Sequence, residues 1–331
     1  MGFTILLSVL ILGVLVIAHE FGHFIVAKKS DMKVNEFAIG FGPSIFSKKI
    51  GETVYSLKIF PLGGYVRIEG EDEKTSDPRA FANKPLLARM AVVFAGPFMN
   101  LFLGALLFSV VAFCTGITTT KVDVIPNSPA FNAGIRSGDI IYRIDGEKIY
   151  SWEKVVDIIS NRPNEEISIE VKRGENIIPI KVKTQLDPET KRGIIGIKSK
   201  LIKYAFFPSL MFGFNRMFYV VKMIIISIVT AGIRTQDLVG PVGMVHIVGE
   251  AAKFGIFNVI FLAAIISINL GLFNLFPIPA LDGSRIVFLL VELIRKKPVD
   301  PEKEGMIHFI GFALLILLAI FIAYKDFIKF Y

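Results

Sequence analysis

The chain has 331 residues, 53% of them hydrophobic, and a mean hydropathy of +0.60. A soluble globular domain seldom carries so much apolar material, so a polytopic α-helical membrane protein is the starting expectation. The net charge of +8 is better explained by basic loops at membrane ends than by nucleic acid, and Cys114, standing alone, excludes an internal disulfide.

A spanning helix needs about 20 mostly apolar residues, because roughly 30 Å of hydrocarbon is crossed at about 1.5 Å per residue. Four stretches qualify: Phe3 to Ala27, Met90 to Gly116, Gly255 to Ala280, and Met306 to Tyr324. The first lacks a basic leading region and is too long for a cleaved signal peptide, so it is expected to persist as a helix.

Within that first stretch, "VIAHEFGHFIV" at 16–26 sets two histidines and a glutamate in a run otherwise suited to lipid. His19, Glu20 and His23 spell H-E-x-x-H. On a helix, positions i and i+4 lie about 40° apart, so both imidazoles can converge on one ion. Such a pair suits Zn²⁺, which takes imidazole readily and keeps an open position when three protein ligands bind. Glu20, on the flank of that face, can reach a water at the metal without being a ligand. A carboxylate at membrane depth costs about 2.5 kcal/mol or more, which makes an idle one unexpected.

The loop from Lys28 to Arg89 is rich in lysine and arginine, and the loop after Ala280 carries Arg285, Arg295, Lys296, Lys297 and Lys303. Both loops are therefore expected on the cytoplasmic side, which leaves the termini and residues 117–254 outside. In the first loop, "GETVYSLKIFPLGGYVRI" alternates Tyr55, Leu57 and Ile59 against Ser56 and Lys58. That period of two predicts a β-hairpin over residues 37–60, which either closes the loop or offers an edge to an extended peptide.

Residues 121–200 have the character of a soluble domain. Ser128 is placed to cap a short helix begun by Pro129 and ended before Gly134, and "SWEKVVDIISN" predicts a second helix with Val155, Ile158 and Ile159 on one face. "EISIEVKRGENIIPIKVK" predicts a hairpin. With "NSPAFNAGIRSGDIIYRIDG", this succession resembles a PDZ domain and implies a peptide groove near the 152–160 helix. Between Tyr204 and Ile233, Arg216 and Lys222 interrupt the apolar run, so interfacial or half-buried helices are expected there.

A third ligand is sought in "SINLGLFNLFPIPALDGSR", 267–285. Pro277 and Pro279 lack N–H groups and break a helix, and broken backbone at membrane depth is tolerated only beside protein or water. Asp282 is thus expected as an oxygen ligand at the edge of a hydrated cavity. Asn269 and Asn274 are candidates to hold a substrate carbonyl or an oxyanion, with packing between helices as the competing role. Asn100 and Asn258 are read as packing residues, and His246 and His308 as non-ligands.

Taken together, these segments resemble the site-2 protease family of intramembrane zinc metalloproteases. "AHEFGH", "PLGGYV", "FAGPFMN", the 121–200 region, "LVGPVG" and "NLFPIPALDG" carry the resemblance along nearly the whole chain. It implies that His19, His23 and Asp282 bind Zn²⁺, that Glu20 is general base and acid, and that Asn269, Asn274, Gly63 and Gly64 meet the substrate. The implied substrates are single-span membrane proteins already trimmed outside, such as anti-sigma factors or remnant signal peptides. Ser284 stands where many bacterial relatives have a second glycine, and one PDZ-like domain stands where some enteric relatives have two.

The expected organisation is therefore about four transmembrane helices with a membrane-associated β-hairpin and one inserted extracytoplasmic PDZ-like α+β domain. Residues 1–116 hold the first two helices and the cytoplasmic loop 28–89, and residues 117–203 the PDZ-like domain. Interfacial helices occupy 204–254, and the last two spans with the third ligand occupy 255–331. The protein is expected in the inner (cytoplasmic) membrane with its active site toward the cytoplasm. A non-catalytic PDZ scaffold and a transporter are the alternatives, separable from an enzyme by bound metal and chelator-sensitive cleavage.

Overall fold

The computed structural model describes residues 2–71, 75–203, 205–232, 239–297 and 299–330. It divides into two compact units, Met1–Val111 with Leu210–Tyr331, and Ala112–Ser209.

The first unit begins with helix α1 (Gly2–Lys29), 28 residues long, whose last turn carries Lys28 and Lys29 at the negative end of the helix dipole. Strands β1 (Val34–Ile50) and β2 (Thr53–Ile68) follow. They are more than the simple hairpin expected over 37–60. Residues 36–39 pair with 54–57 on one side and with 64–67 on the other, while 46–49 pair with the far side of 54–57. The ribbon has folded back on itself into four segments in the order 64–67, 36–39, 54–57, 46–49, with the two outer pairs antiparallel and the middle pair running in the same direction. Gly40 allows the bend: its φ is +88°, and a Cβ there would stand 2.5 Å from the Phe60 carbonyl oxygen. One outer segment of this small sheet is 64–68, next to α1.

Helix α2 (Leu86–Thr115) crosses α1 at small residues. A Cβ on Gly22 would lie 2.3 Å from the Ala95 carbonyl oxygen, so the two backbones can meet only because glycine is there.

The second unit is built on an antiparallel sheet. Its strands are β3 (Ile117–Val124), β4 (Ile140–Ile144), β5 (Glu147–Lys148), β6 (Glu166–Arg173), β7 (Asn176–Lys183) and β10 (Ile197–Ile202), in the order β10-β3-β4-β6-β7 with β5 on β4; β8 (Gln185–Leu186) and β9 (Gly193–Ile194) pair separately. The hairpin read from the sequence has the register its alternation requires, with Ile167 opposite Val182, Ile169 opposite Ile180 and Val171 opposite Ile178. Helix α3 (Pro129–Asn132) is capped by Ser128, whose hydroxyl accepts from Phe131 N, and α4 (Trp152–Ser160) by Ser151, which accepts from Lys154 N. Val155 and Ile159 of α4 join Ile141, Ile144, Ile167, Ile169 and Val171 in the core. Asp139, buried beneath the sheet, takes hydrogen bonds from Arg173 Nε and Nη2 at 2.8 Å each.

The first unit resumes with α5 (Phe206–Ala231), α6 (Pro241–Lys253), α7 (Ile256–Asn274), α8 (Asp282–Arg295) and α9 (Pro301–Phe330). Among the described residues, five helices are long and apolar enough to cross a membrane: α1, α2, α5, α7 and α9. The sequence reading had four. The difference is α5, one uninterrupted helix where shorter interfacial helices were expected. Arg216 lies over the Tyr219 ring at 5.2 Å and Lys222 is exposed, so long side chains carry both charges without breaking the backbone. Met217 of α5, Ala105 and Phe108 of α2, and Ala264 and Ile268 of α7 form one buried cluster. Gly104 and Gly271 bring α2 and α7 together, since Cβ atoms there would meet the Ala264 and Pro97 carbonyl oxygens at 3.0 and 2.7 Å.

Candidate metal centre

The H-E-x-x-H run lies inside α1, so His19 and His23 stand one turn apart and their Nε2 atoms approach to 3.2 Å. Asp282 comes from the break after α7. The helix ends at Asn274, residues 275–281 are irregular, and Asp282 opens α8 as the acidic residue of its first turn. The sequence reading placed it in an irregular lining segment; the segment is there, but Asp282 stands at a helix start, a position favourable to a carboxylate. A Cβ on Gly283 would sit 2.4 and 2.1 Å from the carbonyl oxygens of Leu275 and Phe276, so only glycine lets α8 fold back on the end of α7.

Asp282 Oδ2 lies 3.0 Å from His19 Nε2 and 3.5 Å from His23 Nε2, and one ligand atom from each of the three residues falls within 4.8 Å of the others. Oδ2 is buried and makes no hydrogen bond. Two imidazoles and an orphaned carboxylate oxygen facing one point are the donor set that Zn²⁺ takes with three protein ligands. His23 Nδ1 donates to the Val92 carbonyl oxygen at 2.8 Å, which fixes the tautomer and leaves the Nε2 lone pair toward that point. His19 Nδ1 faces the Asn100 amide, whose Nδ2 is 3.4 Å away and whose Oδ1 is buried without a partner. Turning the amide over puts Oδ1 against Nδ1, where it can accept the proton that a metal-bound His19 must carry there.

These groups face a cavity of about 590 Å³. Glu20 lines it without belonging to the ligand trio. Tyr65, Val66, Arg67 and Ile68, from the outer segment of the sheet, form part of its wall, with Glu71 and Arg285, which are ion-paired. Gly64 is positioned to keep that wall close, since a Cβ there would stand 3.3 Å from Glu20 Cγ.

Of the residues read from the sequence, His19, Glu20, His23 and Asp282 are brought together. Gly63 abuts the Phe41 ring and Gly64 adjoins Glu20. Asn269 and Asn274, both half-buried on α7, are not part of the cavity wall. Two residues were missed. Asn100 had been read as packing, and its approach to His19 becomes visible only when α1 and α2 cross. Gly96, four residues earlier in "FAGPFMN", lies directly against His23. The Gly-x-x-x-Asn spacing, one helical turn on a single face, was the available signal.

The fold and this donor set define a multi-pass membrane metalloenzyme. The family model for Peptidase family M50 matches residues 7–318, and the chain belongs to that family, whose site-2 proteases its motifs resemble. A zinc metalloprotease of Clostridium acetobutylicum is 39% identical over 98% of this chain and 97% of its own. Zinc metalloprotease RasP of Shouchella clausii is 33% identical over 98% and 99%, and the regulator of sigma-W protease RasP of Bacillus subtilis 30% over 98% of each. The protein is a zinc metalloprotease. A PDZ domain of the SdrC-like protein of Listeria innocua is 27% identical, covering 26% of this chain and 96% of that one, with a TM-score of 0.22.

Proposed function

We propose that the protein is an intramembrane endopeptidase that cleaves single-span membrane proteins within or near their transmembrane helix, with His19, His23 and Asp282 holding Zn²⁺ and Glu20 as general base and acid. The convergence of the three ligand atoms beside Glu20 in one cavity carries this reading. Held by His19, His23 and Asp282, zinc would supply a Lewis acid for the scissile carbonyl and would lower the pKa of water towards about 7. Glu20 takes the proton from the attacking water and returns it to the leaving amide nitrogen. Neither step requires Glu20 to leave its place on α1.

A helical substrate hides its carbonyls in hydrogen bonds and must unwind locally. The segment 64–68 supports a place for the unwound strand, because it lies at the outside of the sheet and lines the cavity. Pairing there replaces lost backbone bonds. Asn269 and Asn274 are assigned to the substrate's path along α7, where they hold a backbone carbonyl as the strand is drawn out. Asn100 is assigned to holding His19, not to packing alone.

The basic loops support an active site near the cytoplasmic face of the inner membrane, with residues 117–203 outside as a PDZ-like filter against substrates not yet trimmed. A relative named for regulating sigma-W supports membrane-bound anti-sigma factors as the substrate class. Co-expression with candidate single-span proteins tests the reading: the intact protein shortens one of them within its span, and Glu20→Gln does not. Equal cleavage by both would remove Glu20 from its role.

A further inference from the structure

The final helix contributes no ligand, yet it grips the turn that presents Asp282 at two points. A Cβ on Gly311 would lie 2.3 Å from Pro279 Cβ, so α9 and the turn are in direct contact. One turn earlier on α9, His308 Nδ1 accepts a hydrogen bond from the Ala280 amide at 3.1 Å. Ala280 is the residue of this turn that needs holding. Its φ of +74° is left-handed, a conformation that a side chain disfavours and that persists only where its surroundings impose it.

The histidine is itself fixed. Its ring packs on Phe288 at 5.7 Å between centroids, and its side chain is 19% exposed. Because Nδ1 is an acceptor, the neutral ring carries its proton on Nε2. That atom is buried without a hydrogen bond, 3.8 Å from Glu304 Oε1. His308 is not a fourth ligand: the Ala280 amide occupies one nitrogen, the other lies toward Glu304, and the convergent donor atoms are those of His19, His23 and Asp282.

We propose that His308 is a positioning residue for the third zinc ligand. Its Nδ1 holds the Ala280 amide, and through it the left-handed turn that sets Asp282 toward the histidines. The proposal rests on Asp282 being a ligand.

The test is the rate at which a chelator withdraws zinc from the purified full-length protein. H308L removes the acceptor at similar size, and H308N returns one, since its Oδ1 takes the place of Nδ1. A lost buried hydrogen bond acting through a turn on a ligand is expected to speed release about tenfold in H308L. H308N should release zinc near the wild-type rate. H308Q, whose acceptor lies one bond further out, should release it faster than H308N, and stands in for H308L if that variant is not recovered. Recovery in H308N, which restores the acceptor but not the imidazole's bulk, is a result that a role in general packing would not give. D282A, measured alongside, separates the two claims. If D282A loses zinc while H308L and H308Q keep it as the wild type does, or if H308N is as fast as H308L, the role of His308 is overturned. If D282A itself releases zinc at the wild-type rate, the ligand assignment fails first.

Discussion

Gly96 on α2 faces the His23 imidazole so closely that a Cβ at Gly96 would stand 2.2 Å from Nε2 and 2.6 Å from Cε1. No real contact is that short, so the ring occupies space that only glycine leaves. The smallest possible substitution here strikes the His23 ring itself. Gly96→Ala should displace His23, reduce bound zinc to below half of the wild-type content, and abolish cleavage while helical content by circular dichroism stays the same. Full zinc occupancy in that variant would mean that His23 is free to move aside.

Asn100 faces the other histidine, and we assign its Oδ1 to His19 Nδ1. Asn100→Leu leaves His19 Nδ1 without an acceptor and should weaken zinc binding about 10- to 100-fold in a competitive chelator titration. Asn100→Asp keeps an acceptor at that position and should retain more affinity than Asn100→Leu. If the two variants bind zinc equally, Asn100 is only a packing residue, as its sequence context first suggested.

The contrast between these residues and the ligands explains what was legible from the sequence. His19, Glu20 and His23 declare themselves because their chemistry is set by spacing on one helix. Asp282 was expected from the prolines that break the helix before it together with the histidine pair, which calls for a third ligand; alone, its Asp-Gly pair reads as a turn. Gly96, Asn100 and His308 meet the site only through contacts between segments distant in sequence, and a glycine or an asparagine in an apolar run has many possible reasons to be there. Local alternation also gave strands in the 34–68 region but not their folding back, which depends on Gly40 having a positive φ beside the Phe60 carbonyl. The continuity of α5 was hidden because hydropathy counts Arg216 and Lys222 as interruptions, whereas Arg216 lies over the Tyr219 ring of the same helix and Lys222 is exposed.

Arg89 joins α2 to α8 by a two-pronged pair with Glu292, Nη1 to Oε2 at 3.0 Å and Nη2 to Oε1 at 2.5 Å, with both side chains largely buried. Removing one partner strands the other charge, so Glu292→Gln should lower stability by about 2 kcal/mol in detergent unfolding. The reversal Arg89→Glu with Glu292→Arg should recover part of it, with a coupling energy of about 1 kcal/mol or more. Additive losses in the double variant would show that the pair contributes nothing as a pair.

Glu52, in the turn between β1 and β2, is held by Arg79 and then by Lys28, which draw its carboxyl from 4.5 down to about 2. A carboxylate lowered by folding stabilises the native state above its unfolded value, and the contribution fades as pH falls from about 4.5 towards 2. Wild type should therefore exceed Glu52→Gln in thermal midpoint at pH 7, and the gap should close through that acid window. A gap independent of pH would assign the difference to something other than this charge.

The account depends most on three ligands and a separate base. Zinc per chain, measured by elemental analysis on purified wild type, Glu20→Gln and Asp282→Ala, with cleavage of one single-span substrate assayed on the same samples, tests that division directly. The expected result is one zinc per chain in wild type and Glu20→Gln with cleavage only in the former, and a clear loss of both zinc and cleavage in Asp282→Ala. Full zinc in Asp282→Ala, or cleavage at the wild-type rate by Glu20→Gln, would contradict it.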